Sequence, residues 1–124
     1  MQKSLSLLLI EDDPDIRELL AEFLNMYGHS LALAANGREG LSYLRQTEKM
    51  PDVILLDLMM PVMNGEVFRK EQMNDERISH VPVIVLSADS QAHQRLESLC
   101  FNKFLEKPID LDRLLILVQE TAKT

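Results

Sequence analysis

The sequence predicts an α/β domain in which short parallel strands alternate with helices. Apolar runs and segments of helical periodicity alternate five times along the 124 residues, an order typical of βα repeats rather than of all-α or all-β chains. Acidic residues stand at the ends of two of these runs: Glu11 and Asp12 follow residues 5–10, and Asp57 closes residues 53–56. Because open parallel sheets place their sites at the carboxyl ends of the strands, we expect these acids to share one edge.

The first helix has the clearest predicted boundaries. Asp13 supplies a side-chain oxygen for the N-cap, Pro14 is a favoured first helical residue, and Gly28 ends the segment. Between them apolar residues recur at helical spacing: Ile16, Leu19, Leu20, Phe23, Leu24 and Tyr27. The pattern predicts one amphipathic helix directly after the first strand.

The next elements lead to the predicted centre of the sheet. A weaker strand at 30–34 is followed by an Asn-Gly pair at 36–37 and by a helix that carries Leu41 and Leu44, since Asn and Gly typically interrupt regular structure. Residues 52–57 begin and end with an aspartate and are apolar in between. A strand without polar alternation is buried on both faces, which predicts a central position.

The third helix is the least regular of those predicted up to this point. The loop 58–64 leads through Gly65 to a short helix at 66–73, whose apolar face is less clear. Residues 81–86 then predict a fourth buried strand rich in β-branched residues, with Pro82 tolerated near its start.

The last third of the chain predicts a weak helix, a short strand and a final helix. Residues 90–99 have weak helical periodicity, and 103–105 form the short strand. Asp110 is placed to cap the final helix, whose inward apolar residues are Leu111, Leu114, Leu115 and Val118.

Composition fits one soluble domain spanning residues 1–124, either standing alone or excised from a longer protein. Hydrophobic residues make up 46% and charged residues 27%, as in ordinary globular chains. We expect a cytoplasmic protein, because the single cysteine cannot form an internal disulfide, no secretory leader pattern is seen, and no apolar run approaches the ~20 residues that span a bilayer. The net charge of −7 and the scattered basic residues argue against direct nucleic-acid binding.

A lysine follows a third short apolar stretch, near the end of the chain. Lys107 lies directly before Pro108. Three carboxylates at one edge would repel one another unless a divalent cation lay among them, and oxygen ligands of this kind suit Mg²⁺. The combination predicts a phosphoryl-transfer site.

The chain resembles a receiver domain of the two-component response regulator family over nearly its whole length. The resemblance rests on four stretches in order and on the five βα units that carry them: LLLIEDD at 7–13, VILLDLMMPVMNG at 53–65, VIVLSA at 83–88 and FLEKP at 104–108. It implies a doubly wound, flavodoxin-like domain with a five-stranded parallel sheet in the order 2-1-3-4-5, acting in phosphorelay signal transduction.

The resemblance assigns Asp57 as the phosphoacceptor, and a carboxylate can attack phosphorus to form an acyl phosphate. Glu11 and Asp12 resemble the metal-binding pair, with Asp12 the direct Mg²⁺ ligand and Glu11 acting through water. The family's main-chain metal ligand falls on the carbonyl of Met59. Asp13 is interpreted as the helix N-cap, but it would replace Asp12 as ligand if the register shifted by one.

The resemblance also assigns residues around the phosphoryl group. Ser87 matches the hydroxyl that hydrogen-bonds a phosphoryl oxygen, and Lys107 the phosphate-binding cation. Phe104 matches an aromatic residue that moves inward together with the Ser87 hydroxyl, so the two form the implied switch. A cis peptide bond before Pro108 is also implied.

Two residues are interpreted as supports for the loop after the phosphoacceptor, and Pro108 is interpreted as a further loop support. Pro61 restricts the backbone, and Gly65 is useful where unusual dihedral angles are needed. The bulk of Met59 is expected to shield the acyl phosphate from water, whereas Asp89 could oppose this by orienting a water molecule.

The implied function is a phosphoprotein switch that catalyses only its own phosphorylation and dephosphorylation and is not an enzyme acting on a metabolite. Its implied partners are a sensor histidine kinase or phosphotransfer protein and an unknown output partner or attached effector domain, and a phosphorylation-dependent dimer is possible. The expected output surface comprises the segment 90–99, the last strand and the last helix. No membrane partner is expected.

Two alternatives remain open at this point. A small Mg²⁺-dependent aspartyl phosphatase would need a second aspartate two residues after the nucleophile as acid and base, and Met59 stands there. A receiver-like module that binds partners without phosphorylation is the other.

Some residues depart from the family pattern or lie outside the predicted site. Cys100, Phe101 and Asn102 stand where the family usually has small residues, which leaves the conformation of that corner open. Cys100 is interpreted as a small buried hydrophobe. The three histidines have no metal-like spacing and are interpreted as surface or loop residues: His29, His80 and His93.

Overall fold

Five strands form one parallel sheet in the order β2-β1-β3-β4-β5. The computed structural model describes residues 4–58, 63–88, 101 and 103–122. The strands are β1 (Ser6–Ile10), β2 (Ser30–Ala34), β3 (Val53–Asp57), β4 (Val83–Ser87) and β5 (Lys103–Glu106). The described ranges contain four helices, α1 (Pro14–Met26), α2 (Gly37–Gln46), α3 (Gly65–Met73) and α4 (Leu111–Ala122). The predicted strand order and fold class are confirmed.

Most predicted boundaries hold to within a residue, and β4 shows why the rest shift. β4 begins after Pro82, two residues later than predicted, and extends through Ser87. Proline has no N–H to donate to a neighbouring strand, although the carbonyl of Pro82 still accepts a hydrogen bond from the Ile54 N–H at 2.9 Å. The helix predicted at 90–99 lies outside the described residues, as do His93 and Cys100.

The sheet is covered on both faces, which makes β3 its buried centre. All five residues of β3 are buried, as predicted from its apolar run. Helices α1 and α4 pack on one face through Leu20, Leu24, Leu114 and Val118. Helices α2 and α3 pack on the other through Leu41, Leu44 and Phe68.

Each helix begins at a polar side chain that accepts hydrogen bonds from the first turn. These caps are Asp13, Asn36, Asn64 and Asp110, and the caps predicted at Asp13 and Asp110 are confirmed. A capping oxygen satisfies N–H groups that have no partner inside the helix. The caps therefore fix where the chain leaves the carboxyl edge of the sheet and enters a helix. None of the helices in the described ranges is long and apolar enough to cross a membrane.

His29 lies in the loop before β2, as predicted, but its side chain is not on the surface. It is 3% exposed, and its Nδ1 accepts a hydrogen bond from the Leu5 N–H at 3.1 Å. An accepting Nδ1 belongs to the neutral imidazole in this geometry. Burial lowers the pKa of His29 in the folded state, so the unfolded chain takes up a proton at a higher pH than the folded one.

His29 should make stability depend on pH on the acidic side of neutrality. Its contribution is present above the unfolded pKa of about 6.5 and is lost as the pH falls through the folded pKa. We expect the free energy of unfolding of the parent to fall more steeply between about pH 7 and about pH 5.5 than that of His29→Asn, whose amide oxygen accepts without titrating. Urea unfolding at several pH values measures this, and identical slopes would contradict it.

Candidate functional site

The carboxyl ends of β1 and β3 bring three acids together. Ile10 pairs with Leu56 in the sheet, so the chains emerge from these two strands side by side. Glu11, Asp12 and Asp57 each offer a carboxylate oxygen within 4.8 Å of the others. Glu11 is 1% and Asp57 3% exposed, whereas Asp12 is partly exposed. The acids that the sequence predicted at one edge are adjacent.

Lys107 reaches this acid cluster from the far side of β4. Its main-chain N–H donates to the carbonyl of Ser87 at 2.8 Å, which ties the end of β5 to the end of β4. The Lys107 Nζ lies 3.1 Å from Glu11 Oε1 and 3.4 Å from Asp57 Oδ1. The peptide bond between Lys107 and Pro108 is cis, as the sequence resemblance implied.

The environment of Lys107 keeps its ammonium group charged. Burial opposes the charge, but the hydrogen bond to Glu11 and the negative charges of Asp57 and Glu11 outweigh burial and raise the pKa of Lys107. Three carboxylates against one ammonium leave the acid cluster with an excess of negative charge, which favours binding of a further cation.

Asp12 and Asp13, which the sequence could not fully separate, have different surroundings. Asp13 Oδ1 caps α1 by accepting from the N–H groups of Asp15 and Ile16 at 2.9 and 3.4 Å. The Asp12 carboxylate belongs to the acid cluster and has no hydrogen bond or ion pair with any other described residue. The geometry therefore favours Asp12 over Asp13 as the residue with free ligand oxygens.

Ser87 lies on β4, the strand next to β3, and Phe104 lies on β5, one strand further out. Ser87 is the last residue of β4 and is 1% exposed, one position beyond the Leu86 that pairs with Asp57. Phe104 pairs with Val85 in β5 and is half-buried against the apolar cluster under α2 and α3. Phe104 lies in the strand predicted at 103–105, and Ser87 ends β4 one residue beyond the predicted end of that strand.

Gly65 packs closely against the chain that follows Asp57 and does not adopt the positive φ that favours glycine. Its N–H donates to the carbonyl of Leu58 at 3.0 Å. A Cβ at this position would lie 2.8 Å from the Leu58 Cα and 3.1 Å from the Asp57 carbonyl oxygen. The left-handed backbone conformation occurs instead at Met63, with φ of 52°. Three residues given roles in or beside the site lie outside the described ranges: Met59, Pro61 and Asp89.

The large side chain of Phe101, at the corner before β5, contacts a residue of α3. The guanidinium of Arg69 lies over the Phe101 ring, 5.4 Å from its centroid, and donates to Gln72 Oε1 at 2.7 Å. The Gln72 amide in turn donates to the carbonyls of Ile78 and Val81, each at 3.0 Å. The departure from small residues at position 101 is thus matched by polar residues buried on α3.

Sequence reasoning missed one residue next to the acids. Arg17 Nη1 donates to the main-chain carbonyl of Glu11 at 2.8 Å. The spacing gives a weak signal, because a residue in the second turn of α1 points back toward the preceding strand, but many exposed helix residues share that spacing.

The comparisons with known proteins agree with this geometry. A family model described as the response regulator receiver domain matches residues 7–119. The chain belongs to the response regulator receiver family. It is 34% identical to the response regulator Rre1 of a Synechocystis strain over 96% of its own length and 52% of the relative. The chain therefore spans about half the length of that response regulator.

Solved receiver domains share the whole fold. The chemotaxis response regulator CheY4 of Vibrio cholerae superposes with a TM-score of 0.86 at 26% identity, over 96% of this chain and 99% of that one. The receiver domain of the sensor histidine kinase PA1611 of Pseudomonas aeruginosa has a TM-score of 0.88 at 25% identity, covering 98% and 100% of the two chains. A magnesium ion is coordinated in the active-site cleft of that protein.

Proposed function

We propose that this receiver domain is a phosphorylation-operated switch in which Asp57 accepts a phosphoryl group from a histidine kinase or a phosphotransfer protein. One observation carries the proposal: Asp57 is buried at the end of the central strand, 3.4 Å from the ammonium of Lys107 and within 4.8 Å of two further acids. A nucleophile next to a fixed cation suits attack on an anionic donor, because the cation offsets the charge that the transfer brings.

The acid cluster fits Mg²⁺. Its donors are carboxylate oxygens, which Mg²⁺ prefers, and Asp12 has no competing partner among the described residues. Asp12 and Asp57 would hold the ion directly and Glu11 through water, with the carbonyl of Met59 as the fourth protein group. When bound, the ion would supply charge neutralisation between the acceptor and the incoming phosphoryl group.

The chain's own residues account for the transfer. An Asp57 carboxylate oxygen forms a bond to phosphorus while the bond between phosphorus and the donor histidine nitrogen breaks, and that nitrogen keeps the electron pair. Lys107 holds the phosphoryl oxygens as a fixed positive charge, and Ser87 donates its hydroxyl to one of them. The product is an aspartyl phosphate, and the chain turns over no separate metabolite.

The switch follows from the connection between β4 and β5. Ser87 ends β4, and the Ser87 carbonyl accepts from the Lys107 N–H. A shift of Ser87 toward a phosphoryl group would therefore also displace the end of β5. Phe104 lies on β5 and is half-buried, so an inward movement would take more of its ring out of solvent. A new anionic group can bias such a two-state arrangement.

The partners follow from this role. We place the domain in the cytoplasm, where it receives the phosphoryl group and passes the signal to an output partner or an attached effector region through the segment 90–99, β5 and α4, with dimerisation on phosphorylation as one form of output. The net charge of −7 supports signalling through a partner rather than through direct nucleic-acid contact.

The two rival functions are disfavoured by specific residues. An aspartyl phosphatase needs a second carboxylate two residues after the nucleophile, and Met59 occupies that position. A module that works without phosphorylation has no need of a buried aspartate held against a lysine, since burying charged groups is costly.

The mass of the intact protein tests the proposal. After incubation with Mg²⁺ and acetyl phosphate, we expect the parent to gain a single phosphoryl group and Asp57→Asn to gain none. Chelating the Mg²⁺ should prevent the gain in the parent. Absence of an adduct, also with a phosphorylated histidine kinase as donor, would favour the phosphorylation-independent module, whereas rapid turnover of a phosphate ester would favour the phosphatase.

A further inference from the structure

The main chain of Glu11 is held on both sides where β1 ends. Its N–H donates to the carbonyl of Ala34 at 3.0 Å, which continues the pairing of β1 with β2. The Glu11 carbonyl has left the sheet and accepts instead from Arg17 Nη1 at 2.8 Å. Arg17 lies in the second turn of α1, so this bond closes the acidic turn between β1 and α1.

The same turn is tied together by two further hydrogen bonds. Glu11 Oε2 accepts from the Asp13 N–H at 3.2 Å, and Asp13 caps α1. Asp12 lies between these two residues and is the only one of the three whose carboxylate is left without a partner among the described residues. Its direction therefore depends on how firmly the turn around it is held.

The hydrogen-bond partner of the Arg17 guanidinium is unusual for an arginine close to acids. Three consecutive acids lie in this turn, and a guanidinium ordinarily forms its strongest hydrogen bonds with carboxylates. Within the described residues, however, its side chain bonds only to a main-chain carbonyl and forms no ion pair. The carboxylate oxygens of the acids are therefore not taken up by Arg17, whose guanidinium holds the backbone of the turn instead.

We propose that Arg17 is a positioning residue for the Mg²⁺ site: it acts through the Glu11 carbonyl to hold Glu11 and Asp12 in the arrangement that binds the ion. The inference rests on the proposed function, because it assigns a role toward the ion of the phosphoryl-acceptor site. Residues that orient metal ligands without touching the metal commonly change metal affinity by about 10-fold or more when they are replaced.

If Arg17 acted only through its charge, its removal would change the Mg²⁺ affinity in the opposite direction. Removing a positive charge close to a cation site should strengthen binding of a divalent cation. Removing a support for the ligands should weaken it. The direction of the change in Mg²⁺ affinity therefore separates a positioning role from a simple charge effect.

The test measures the Mg²⁺ dissociation constant by calorimetry for four variants and the parent, with urea unfolding in the absence of Mg²⁺ for each. We expect Arg17→Met to bind about 10-fold more weakly than the parent. Arg17→Lys, which keeps a long cationic donor, should bind more tightly than Arg17→Gln, which is shorter and neutral. Arg113→Met, at an exposed arginine of α4, is the matched control and should bind as the parent does.

Several results would overturn the proposal. Equal or tighter Mg²⁺ binding by Arg17→Met would exclude positioning, and so would a lower free energy of unfolding with an unchanged dissociation constant, which indicates a purely structural role. If Arg17→Met does not fold, tighter binding by Arg17→Gln than by Arg17→Lys overturns it equally. A parent that binds no Mg²⁺ would overturn the metal site of the proposed function as well, whereas failure of the variants alone concerns only Arg17.

Discussion

Replacing Lys107 with methionine is expected to lower the free energy of unfolding by about 3 kcal/mol at neutral pH without divalent cations. The Lys107 ammonium contacts Glu11 and Asp57, whose side chains are 1% and 4% exposed. Methionine fills a similar volume but leaves both carboxylates without their cation, and an uncompensated buried charge is strongly destabilising. Urea unfolding of the purified variant measures the loss.

Mg²⁺ should recover part of this loss. The ion and the lysine neutralise the same carboxylates, so adding Mg²⁺ is expected to stabilise Lys107→Met by more than it stabilises the parent. Phosphorylation of the variant by acetyl phosphate should nevertheless be slower by about 10²-fold, because the fixed charge opposite the phosphoryl oxygens is missing. Lys49→Met, at an exposed loop lysine, is the control. Equal unfolding energies for Lys107→Met and the parent would contradict the account.

Replacing Gly65 with alanine should destabilise the domain by about 2 kcal/mol. Alanine is favoured over glycine in a helix, but the new Cβ would lie 2.8 Å from the Leu58 Cα and 3.1 Å from the Asp57 carbonyl oxygen. These main-chain atoms can make room for the Cβ only if the loop 58–64 moves. Urea unfolding should show the loss, and the rate of phosphorylation at Asp57 should fall with it.

Gly40→Ala is the matched control for this prediction. Its new Cβ would meet the Ile10 Cδ1 at 2.5 Å and the Phe68 Cε2 at 3.2 Å, which are side-chain atoms on the core side of α2. Side chains can repack, and none of the three atoms nearest to this new Cβ belongs to Asp57 or Leu58. We therefore expect Gly40→Ala to be phosphorylated at the parent's rate. A Gly65→Ala variant as stable and as reactive as the parent would exclude close packing as the reason for this glycine.

The fold could be predicted because its signals are local and agree with one another. Apolar runs indicated the strands, and the capping residues Asp13 and Asp110 indicated helix starts that the structure confirms. The strand order followed from the family resemblance, since periodicity alone does not order parallel strands. The less clear apolar face of α3 also has an explanation, because Arg69 and Gln72 are buried on it and interrupt the pattern.

The acids of the candidate site could be predicted because the direction of the main chain decides their position. Residues that follow parallel strands emerge at one edge, and the strand order implied by the family resemblance makes β1 and β3 neighbours, so Glu11, Asp12 and Asp57 were expected to lie close together. The contacts of Arg17 with the Glu11 carbonyl and of Leu5 with the His29 ring could not be predicted. The Leu5–His29 contact joins residues 24 positions apart, and the six-residue spacing between Glu11 and Arg17 is only a weak signal because many helix residues share it.

The most direct test of the central claim is to identify the residue that carries the phosphoryl group. The parent is incubated with acetyl phosphate and Mg²⁺, the acyl phosphate is trapped by reduction, and the masses of its peptides are measured. The account predicts modification of Asp57 alone, and only when Mg²⁺ is present. Modification at another residue such as His80 or Ser87, or modification of Asp57 in a reaction that contains no Mg²⁺, would contradict it.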